Sequence, residues 1–222
     1  MIDYKEAWDL QKELFELRYK KQLPDILLLL EHPHTYTLGR TADSLHLIGT
    51  KEYLAENKIS VYDIDRGGDI TYHGPGQIVG YPIIDLNDWF KDTHKYLRGL
   101  EEIIIRTCAE YGIIGKRDPD HTGVWVGNRK IAAIGIKVSR WITMHGFAFN
   151  INSDLSLFNG IIPCGIHDKG VTSILNETGK EADISEVKGK LTNNFKEFFG
   201  YDVIKTTIKE ELLSFPHSMK GI

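Results

Sequence analysis

The sequence predicts an α/β fold with much antiparallel strand pairing, in one domain over residues 1–222. Segments with helical periodicity alternate with β-prone runs, which favours a mixed architecture. Two long β-prone runs flank Gly127-Asn128, a two-residue connection typical of an antiparallel hairpin. We find no linker and no internal repeat, and 222 residues suffice for one sizeable core.

The N-terminal segment predicts a helix, a strand and a loop in that order. Pro24 ends an amphipathic helix expected over residues 3–21, and the apolar run after it predicts a buried strand over 25–32. The polar, turn-rich residues 32–46 predict a loop. The helically spaced apolar residues of the helix are Ala7, Leu10, Leu14 and Leu17.

The middle of the chain continues the alternation. Residues 51–58 predict a short helix, and the alternating residues 59–65 predict a strand. Residues 66–86 predict a glycine turn, a short strand, a Gly-Pro-Gly turn and another strand. Residues 91–111 predict a helix. Its apolar face carries Leu97, Leu100, Ile104, Cys108 and Tyr111.

The C-terminal half begins with the hairpin, which we expect over residues 123–140. Residues 141–152 alternate again and predict a further strand. Residues 183–200 predict a helix that ends at a Gly200 cap. A last strand at 201–208 and a surface tail complete the C-terminal segment 183–222.

Composition and charge exclude several kinds of partner and location. The net charge of -4 gives no global reason to expect nucleic acid. The longest apolar runs, 26–30 and 131–136, are too short to cross a bilayer, and the charged N-terminus does not resemble a secretory signal. Two distant cysteines make neither a metal motif nor a disulfide framework, so we expect a reducing cytoplasm.

The two cysteines differ in their surroundings. Cys108 lies on the apolar face of a predicted helix, where a free cysteine is typically buried. Cys164 lies outside any periodic segment, between Pro163, which restricts the backbone, and Gly165, which leaves room for a substrate. Functional residues often lie in loops, but Pro-Cys-Gly alone is a weak indication of catalysis. A purely structural role for Cys164 therefore stays open as an alternative.

A cysteine nucleophile needs a base, because its free pKa of about 8.5 leaves little thiolate at neutral pH. Lysine can serve if its surroundings lower its pKa. Lys130 opens the apolar run 131–136 and is such a candidate; the alternative is a strand-edge lysine with its head in water. Histidine is the usual base, and the candidates are His32, His34, His73, His121, His145 and His167.

Two further segments have the composition of binding segments. In residues 66–77, two glycines follow Arg66 and permit close backbone approach, but the pattern is neither a Walker loop nor G-x-G-x-x-G. Residues 144–152 alternate apolar and small side chains, as expected of a strand that lines an apolar pocket. A glycine hairpin and a half-buried strand are the structural alternatives. The histidines lack zinc-ligand spacing, so we expect no metal.

These segments together resemble the lipoyl(octanoyl) transferase family. Residues 127–152 are similar to the family's second block, 161–166 to its cysteine block and 27–40 to its upstream strand and loop. The resemblance covers about residues 25–177, the motif-bearing core. The Arg-Gly-Gly signature of the family matches Arg66, Gly67, Gly68, Thr71, Tyr72, His73, Gln77 and Tyr81.

The resemblance implies a fold, a reaction and a site. The fold would be a mixed, largely antiparallel sheet flanked by helices, as in biotin and lipoate protein ligases. The nucleophile would be Cys164 and the catalytic lysine Lys130, with auxiliary roles for His145 and Gln77. The implied acyl-substrate contacts are Arg66, Gly67, Gly68, Asp69, Ile70, Thr71, Tyr72, His73, Ala133, Ile134, Gly135, Gly146, Phe147 and Ala148.

The implied enzyme moves an octanoyl or lipoyl group from the phosphopantetheine of acyl carrier protein to a lysine of lipoyl domains. The acceptors would be 2-oxoacid dehydrogenases and the glycine cleavage H protein. The resemblance implies no ATP and no metal, and a monomer. Because acyl carrier proteins are acidic, we also expect a local basic patch. Its candidates are residues 18–21, Arg40, Arg129, Lys137 and Arg140.

Three alternatives stay open. An ATP-dependent lipoate or biotin ligase would share the fold, but His73 is followed here by Gly-Pro-Gly-Gln and not by the ligases' longer glycine-rich loop and its continuation. A non-enzymatic acyl-binding module would need neither Cys164 nor Lys130. An amidotransferase that moves the acyl group between two lipoyl-type carrier proteins is poorly distinguished by sequence.

Overall fold

A computed structural model describes residues 1–163 and 169–202. The helices are α1 (Tyr4–Tyr19), α2 (Lys51–Glu56), α3 (Thr93–Ala109), α4 (Ile174–Thr178) and α5 (Ile184–Phe199). The strands are β1 (Ile26–Leu30), β2 (Thr35–Leu38), β3 (Ser60–Asp63), β4 (Ile70–His73), β5 (Gln77–Ile83), β6 (Lys116–Arg117), β7 (Val124–Val126), β8 (Arg129–Ser139), β9 (Ile142–Asn150) and β10 (Gly170–Val171). Short 3-10 helices cover Ser44–His46 and Leu155–Gly160.

The main sheet confirms the predicted antiparallel pairing. Within the described residues it has seven strands, in the order β1-β5-β9-β8-β7-β6, with β10 parallel to the start of β8. The predicted hairpin is β7 and β8, and Gly127 in its turn has φ +61°, a conformation that favours glycine. The predicted first strand is confirmed, but its predicted burial is not: β1 is an edge strand and only half-buried.

A second sheet was only partly predicted. It has three strands in the described part of the chain, with β2 between β3 and β4. The sequence predicted β3 and β4 but a loop over 32–46, which contains β2. The strand Thr35–Leu38 is short and polar, so its sequence shows no apolar run; its pairing with neighbours on both sides makes it a strand.

The helices cover the two faces of the main sheet. Helices α3 and α5 pack on one face over the larger apolar core, which includes Phe149 and Ile131. Helix α1 packs on the other face through Ala7, Leu10 and Leu14. The small apolar side chains of that second face leave space between the main sheet, α1 and the small sheet.

The helix ends follow local chemistry. Helices α1, α3 and α5 begin at aspartates whose carboxylates accept backbone N–H bonds, and α2 begins at Thr50. The predicted cap at Gly200 is confirmed by its φ of +72°. The predicted strand at 201–208 and the tail lie, beyond Asp202, outside the described residues. Over residues 1–163 and 169–202, no helix has the length and apolarity needed to span a bilayer.

Candidate active site

A cavity of about 390 Å³ lies between the second face of the main sheet, α1 and the small sheet. Its volume is within the usual range of small-molecule pockets. One wall is the main sheet, where small side chains of β8 and β9 face the opening. The opposite wall is β4 with the Arg66–Asp69 turn before it, and Tyr4 of α1 contributes a third side.

A β-bulge in β8 decides which residues face this cavity. Val124 pairs with Ala132 but Trp125 pairs with Lys130, so β8 holds one extra residue at Ile131. Lys130 therefore lies on the same face as Ala133, although three positions separate them. Ile131 and Ala132 both lie in the core on the opposite face.

The cavity wall is built in layers across the sheet. Gln77 of β5 and Asn150 of β9 are paired neighbours, and both line a small adjoining cavity together with Lys130. One step along, Val79, Ala148 and Ala133 form a layer of small apolar side chains. One further step along, Gly135 pairs with Gly146, and Tyr81 lies two residues beyond Val79. Polar groups thus mark one end of the wall, followed by an apolar slot.

Lys130 is buried, with 7% of its surface exposed, and its ammonium lies 4.8 Å from the centre of the Trp125 ring. The ammonium of Lys169 lies at the same distance from that ring. Lys169 Nζ donates to Asp118 at 2.5 Å, and this bond holds the pKa of the Asp118 carboxyl below its ordinary value. His121 Nδ1 lies 3.1 Å from the same carboxylate. These groups gather charge at the Lys130 end of the cavity.

The Arg66 turn lies at the other end of the cavity. Arg66 is buried, and its guanidinium donates to the carbonyl of Thr37 at 2.8 Å and to the Thr37 hydroxyl at 3.0 Å. It lies directly over Gly135: a Cβ at Gly135 would lie 2.9 Å from both Arg66 Cδ and the Gly67 carbonyl oxygen. Gly135 is therefore required by the close approach of this turn.

A buried hydrogen-bond chain crosses the site beside Lys130. Gln77 Nε2 donates to Asn150 Oδ1 at 2.9 Å, and Asn150 Nδ2 donates to the Thr172 carbonyl at 2.9 Å. Gln77 Oε1 is therefore the acceptor of His73 Nδ1–H, at 2.9 Å. Burial lowers the pKa of His73 well below its ordinary value, so the ring is neutral at pH 7. The Thr172 N–H returns a bond to the Lys130 carbonyl, which ties β10 to the lysine.

His145 reaches the cavity through an unusual backbone conformation. Its φ is +56° in the middle of β9, and its N–H donates to the Gln11 side chain at 2.9 Å. Strict alternation would turn it to the face of Phe147, but its ring meets Tyr81 edge-on. Its Nε2 lies 2.8 Å from Asp65 Oδ1. Burial lowers the pKa of His145, and its hydrogen bond is the main reason that the pKa of Asp65 is depressed.

Most sequence-predicted substrate contacts line this cavity. Ile134 and Phe147 border it, but both also pack in the apolar core of the opposite face. Gln77 lies at a small adjoining cavity that Lys130 and Pro163 also line. The predicted residues of the main cavity are Arg66, Gly67, Gly68, Asp69, Ile70, Thr71, His73, Lys130, Ala133, Ile134, Gly135, His145, Gly146, Phe147 and Ala148.

Some expectations need correction. Tyr72 does not line the main cavity: it alternates with Thr71 and His73 and packs in the core of the small sheet, where its hydroxyl bonds His34 at 2.9 Å. His32, a candidate base, bonds Tyr81 at 2.8 Å, and burial lowers its pKa to about 4. Cys164 and the candidate base His167 lie outside the described residues.

The structure corrects part of the expected basic patch, and its other candidates stay a prediction. Arg18 is buried and bonds Asp25 at 2.7 Å and Asp88 at 2.6 Å, so it is structural. Three other candidates form ion pairs on the protein surface, which leaves less net positive charge for docking. These pairs are Arg129 with Glu177, Lys137 with Asp65 and Arg140 with Glu16.

Cys108 is confirmed as a core residue. It has no exposed surface in the α3 core, and burial raises the pKa of its thiol to about 12.

Sequence reasoning missed several cavity residues, among them Tyr4, Thr41 and Val79. Tyr4 could have been found, since it lies one helical step before Ala7 on the apolar face of α1. Thr41 lies in the turn after β2 and gave no indication.

Comparisons with known proteins identify the family of this chain. The family model described as the lipoyl protein ligase A/B catalytic domain matches residues 3–196. An octanoyltransferase of Christiangramia forsetii is 50% identical over 214 residues, with 89% of this chain and 92% of the relative covered. An octanoyltransferase of Rubrobacter xylanophilus is 52% identical over 202 residues, with 90% of each covered.

A solved structure shows the same fold at low identity. It contains a bipartite lipoate protein ligase and its E2 lipoyl domain from Thermoplasma acidophilum. It has a TM-score of 0.71 and 16% identity, and covers 92% of this chain and 84% of that one. The predicted fold, with a mixed and largely antiparallel sheet flanked by helices, is confirmed. The chain belongs to the lipoyl protein ligase A/B catalytic-domain family and, within it, to the octanoyltransferases, which are acyltransferases.

Proposed function

We propose that this chain transfers an octanoyl group from acyl carrier protein to a lysine of a lipoyl domain, through a thioester on Cys164. The observation that carries the proposal is the position of Lys130, buried at the polar end of an apolar cavity. The described residues on either side of Cys164, Pro163 and Lys169, both lie beside Lys130. Pro163 lines a small cavity together with Lys130. The ammonium groups of Lys169 and Lys130 both contact the Trp125 ring.

In the first step, Lys130 takes the proton of the Cys164 thiol, and the thiolate attacks the carbonyl carbon of the donor thioester. The new carbon–sulfur bond forms as the bond to the pantetheine sulfur breaks. The departing thiolate takes the proton from Lys130. One thioester replaces another, so the step is close to balanced in free energy and a thiolate is a suitable acceptor.

In the second step, the amine of the acceptor lysine attacks the Cys164 thioester and forms an amide. Cys164 leaves as a thiolate, Lys130 takes the proton released by the amine, and that proton returns to Cys164. Aminolysis of a thioester is strongly downhill, so the proposal includes neither ATP nor a metal. Covalent catalysis splits one encounter of two carrier proteins into two binary encounters.

The cavity wall suits the acyl chain. Ala133 and Ala148 are cross-strand neighbours on one face of β8 and β9, and Val79 completes an apolar layer beside them. Burial of each methylene group of the chain in such a slot stabilises the complex by about 0.8 kcal/mol. The surrounding polar side chains, His73 among them, bond one another and leave this slot apolar.

The proposed partners follow from the chemistry and from the relatives. The solved ligase with an E2 lipoyl domain supports a lipoyl domain as acceptor, including those of 2-oxoacid dehydrogenases and the glycine cleavage H protein. The donor is acyl carrier protein, whose phosphopantetheine thioester supplies the activated acyl group. In this proposal the protein acts as a monomer in the cytoplasm, where a reducing environment keeps the thiol of Cys164 free.

The decisive experiment is mass spectrometry of the intact protein after incubation with octanoyl-acyl carrier protein and no ATP. Wild type and Cys108→Ala should each gain one octanoyl group, and Cys164→Ala should gain none. Addition of a lipoyl domain should then discharge the enzyme and acylate the domain. Octanoylation that survives Cys164→Ala, or that requires free octanoate and ATP, would overturn the proposal in favour of another mechanism or of a ligase.

A further inference from the structure

The aliphatic chain of Lys130 lies against two residues, Gly123 just before β7 and Trp125 within it. A Cβ added at Gly123 would lie 3.3 Å from Lys130 Cε and 3.4 Å from Lys130 Cδ, closer than the usual carbon–carbon separation of about 3.5–4.0 Å. The Trp125 ring receives the ammonium at 4.8 Å, and its Nε1–H donates to the His121 carbonyl at 3.2 Å, which fixes the ring. We call Gly123 and Trp125 the lysine seat.

Glycine is required at position 123 for two reasons. Its φ of +130° is a backbone conformation that residues with a side chain rarely adopt. An added Cβ would also lie 2.7 Å from the carbonyl oxygen of Ala132. Ala132 follows the bulge at Ile131, and the same bulge turns Lys130 toward the cavity. The irregular backbone of β8 and the bare backbone of Gly123 therefore fit each other.

A buried carboxylate from the helix on the opposite face of the sheet holds Gly123. The Gly123 N–H donates to Glu101 Oε1 at 3.1 Å. Glu101, in α3, has no exposed side-chain surface, and its Oε2 lies 2.7 Å from Arg98 and 3.2 Å from Arg117. Burial of a carboxylate is costly without such partners, so these bonds are what keeps Glu101 in its position. The proposed acyl transfer does not itself use this carboxylate.

A fixed lysine side chain matters for catalysis. Lysine has a flexible four-carbon stem, and a general base must lie within hydrogen-bond reach of the proton that it removes. Misplacement of a reacting group by about 1 Å can cost about 100-fold in rate. We infer that Gly123 is a positioning residue of the acyl transfer, which fixes the direction of the Lys130 side chain, and that Glu101 holds Gly123 in place. This inference rests on the proposed function, because it takes Lys130 as the base.

The first test compares two glycines of one hairpin. Both have a positive φ, +130° at Gly123 and +61° at Gly127, but a Cβ at Gly127 would meet nothing within 4 Å. At saturating octanoyl-acyl carrier protein, Gly123→Ala should lower the first-order rate constant of acyl-enzyme formation at least about tenfold, and Gly127→Ala should keep the wild-type value. This rate constant does not depend on the fraction of folded enzyme. Equal rate constants in the two variants would overturn the inference and leave the proposed function intact. No acyl-enzyme in wild type would overturn both.

The second test shows whether Gly123 acts through Lys130. Iodoacetamide alkylates thiolates, so its rate at Cys164 and pH 7 reports proton removal from that thiol, and buried Cys108 serves as the internal reference. Gly123→Ala should slow this alkylation in the wild-type background. It should have no further effect in the Lys130→Met background, because the side chain that it positions is gone. Slowing by the same factor in both backgrounds, or no slowing in either, would contradict the inference.

The third test compares two glutamates of α3. Glu101 and Glu102 both pair with Arg117, but the bond from the Gly123 N–H goes to Glu101. Glu101→Met should lower the acylation rate constant at least about tenfold, and Glu102→Met should leave it unchanged. Glu101→Gln keeps an acceptor oxygen for Gly123 and should restore most of the lost rate. A wild-type rate constant in Glu101→Met, or an equal loss in Glu101→Gln, would show that Glu101 does not act through Gly123. Since Gly123→Ala and Glu101→Met change different atoms, either variant decides if the other does not fold.

Discussion

Lys130 and Ala133 share one face of β8 although an odd number of positions separates them. The bulge at Ile131 adds one residue to this strand, so the lysine enters the cavity and the core keeps Ile131 and Ala132. Without the bulge, the alternation of the strand would direct Lys130 away from the apolar slot. One local irregularity thus joins the candidate base to the candidate acyl site.

The first prediction concerns this lysine. Lys130→Arg keeps the positive charge, but a guanidinium does not give up its proton near neutral pH. We expect the rate of acyl-enzyme formation to fall at least about 100-fold, the usual contribution of a positioned base. Lys137→Arg is the control, because it can keep the ion pair with Asp65 at the opposite end of the slot. A damaging Lys137→Arg with an active Lys130→Arg would show that the wrong lysine was assigned.

The second prediction concerns the hydrogen-bond chain. Asn150→Asp preserves shape but replaces the donor to the Thr172 carbonyl with an acceptor oxygen. We expect the free energy of unfolding to fall by about 1–3 kcal/mol, the cost of a buried polar group without a partner. The acylation rate should fall as well, because Thr172 also bonds the Lys130 carbonyl. Urea denaturation and acylation assays check both. The same change at exposed Asn193 should leave both unchanged.

The third prediction concerns the backbone at His145. In an ordinary strand, a protein with glycine at a given position is less stable than the same protein with alanine there, by roughly 0.5–1 kcal/mol. At His145 the order should reverse, because a left-handed φ of +56° costs alanine about 1–2 kcal/mol. His145→Gly should therefore unfold at higher urea than His145→Ala. The pair Thr143→Gly and Thr143→Ala, two residues earlier in β9, should show the ordinary order. The same order at both positions would disprove the argument.

The fourth prediction concerns stability against pH. Burial lowers the pKa of His32 from 6.5 to about 4, so between these values the unfolded chain binds a proton that the folded chain does not. Stability therefore falls as the pH falls through this window. From pH 7 to pH 5, His32 alone should lower the free energy of unfolding by about 2 kcal/mol.

The matched variant for this effect is His32→Gln. It should reduce the loss of stability between pH 7 and pH 5 by about 2 kcal/mol. Some loss should persist, because buried His73 and His145 also have lowered pKa values and act in the same direction. An identical pH dependence in wild type and variant would show that His32 protonates equally in both states.

The sequence predicted most of the fold because its elements carry local patterns. The apolar periodicity of α1, α3 and α5, the glycine turns around β4 and the Gly127-Asn128 hairpin were read from neighbouring residues alone. Strand β2 was missed because its polar residues become a strand only through pairing with two distant neighbours. The half-buried β1 was misjudged for a related reason: its place at the sheet edge is a property of the whole topology.

The sequence by itself determined the residue types of the site, namely a lysine at the start of an apolar strand, small residues after it and the Arg-Gly-Gly turn. It also placed Cys108 in the core, because helical periodicity fixes its face. Only the tertiary structure decided how these groups meet. The bulge at Ile131 turns Lys130 into the cavity, and the left-handed backbone at His145 departs from strict alternation. Both break the two-residue period on which sequence reasoning depends, and packing and hydrogen bonds to distant parts of the chain hold them in place.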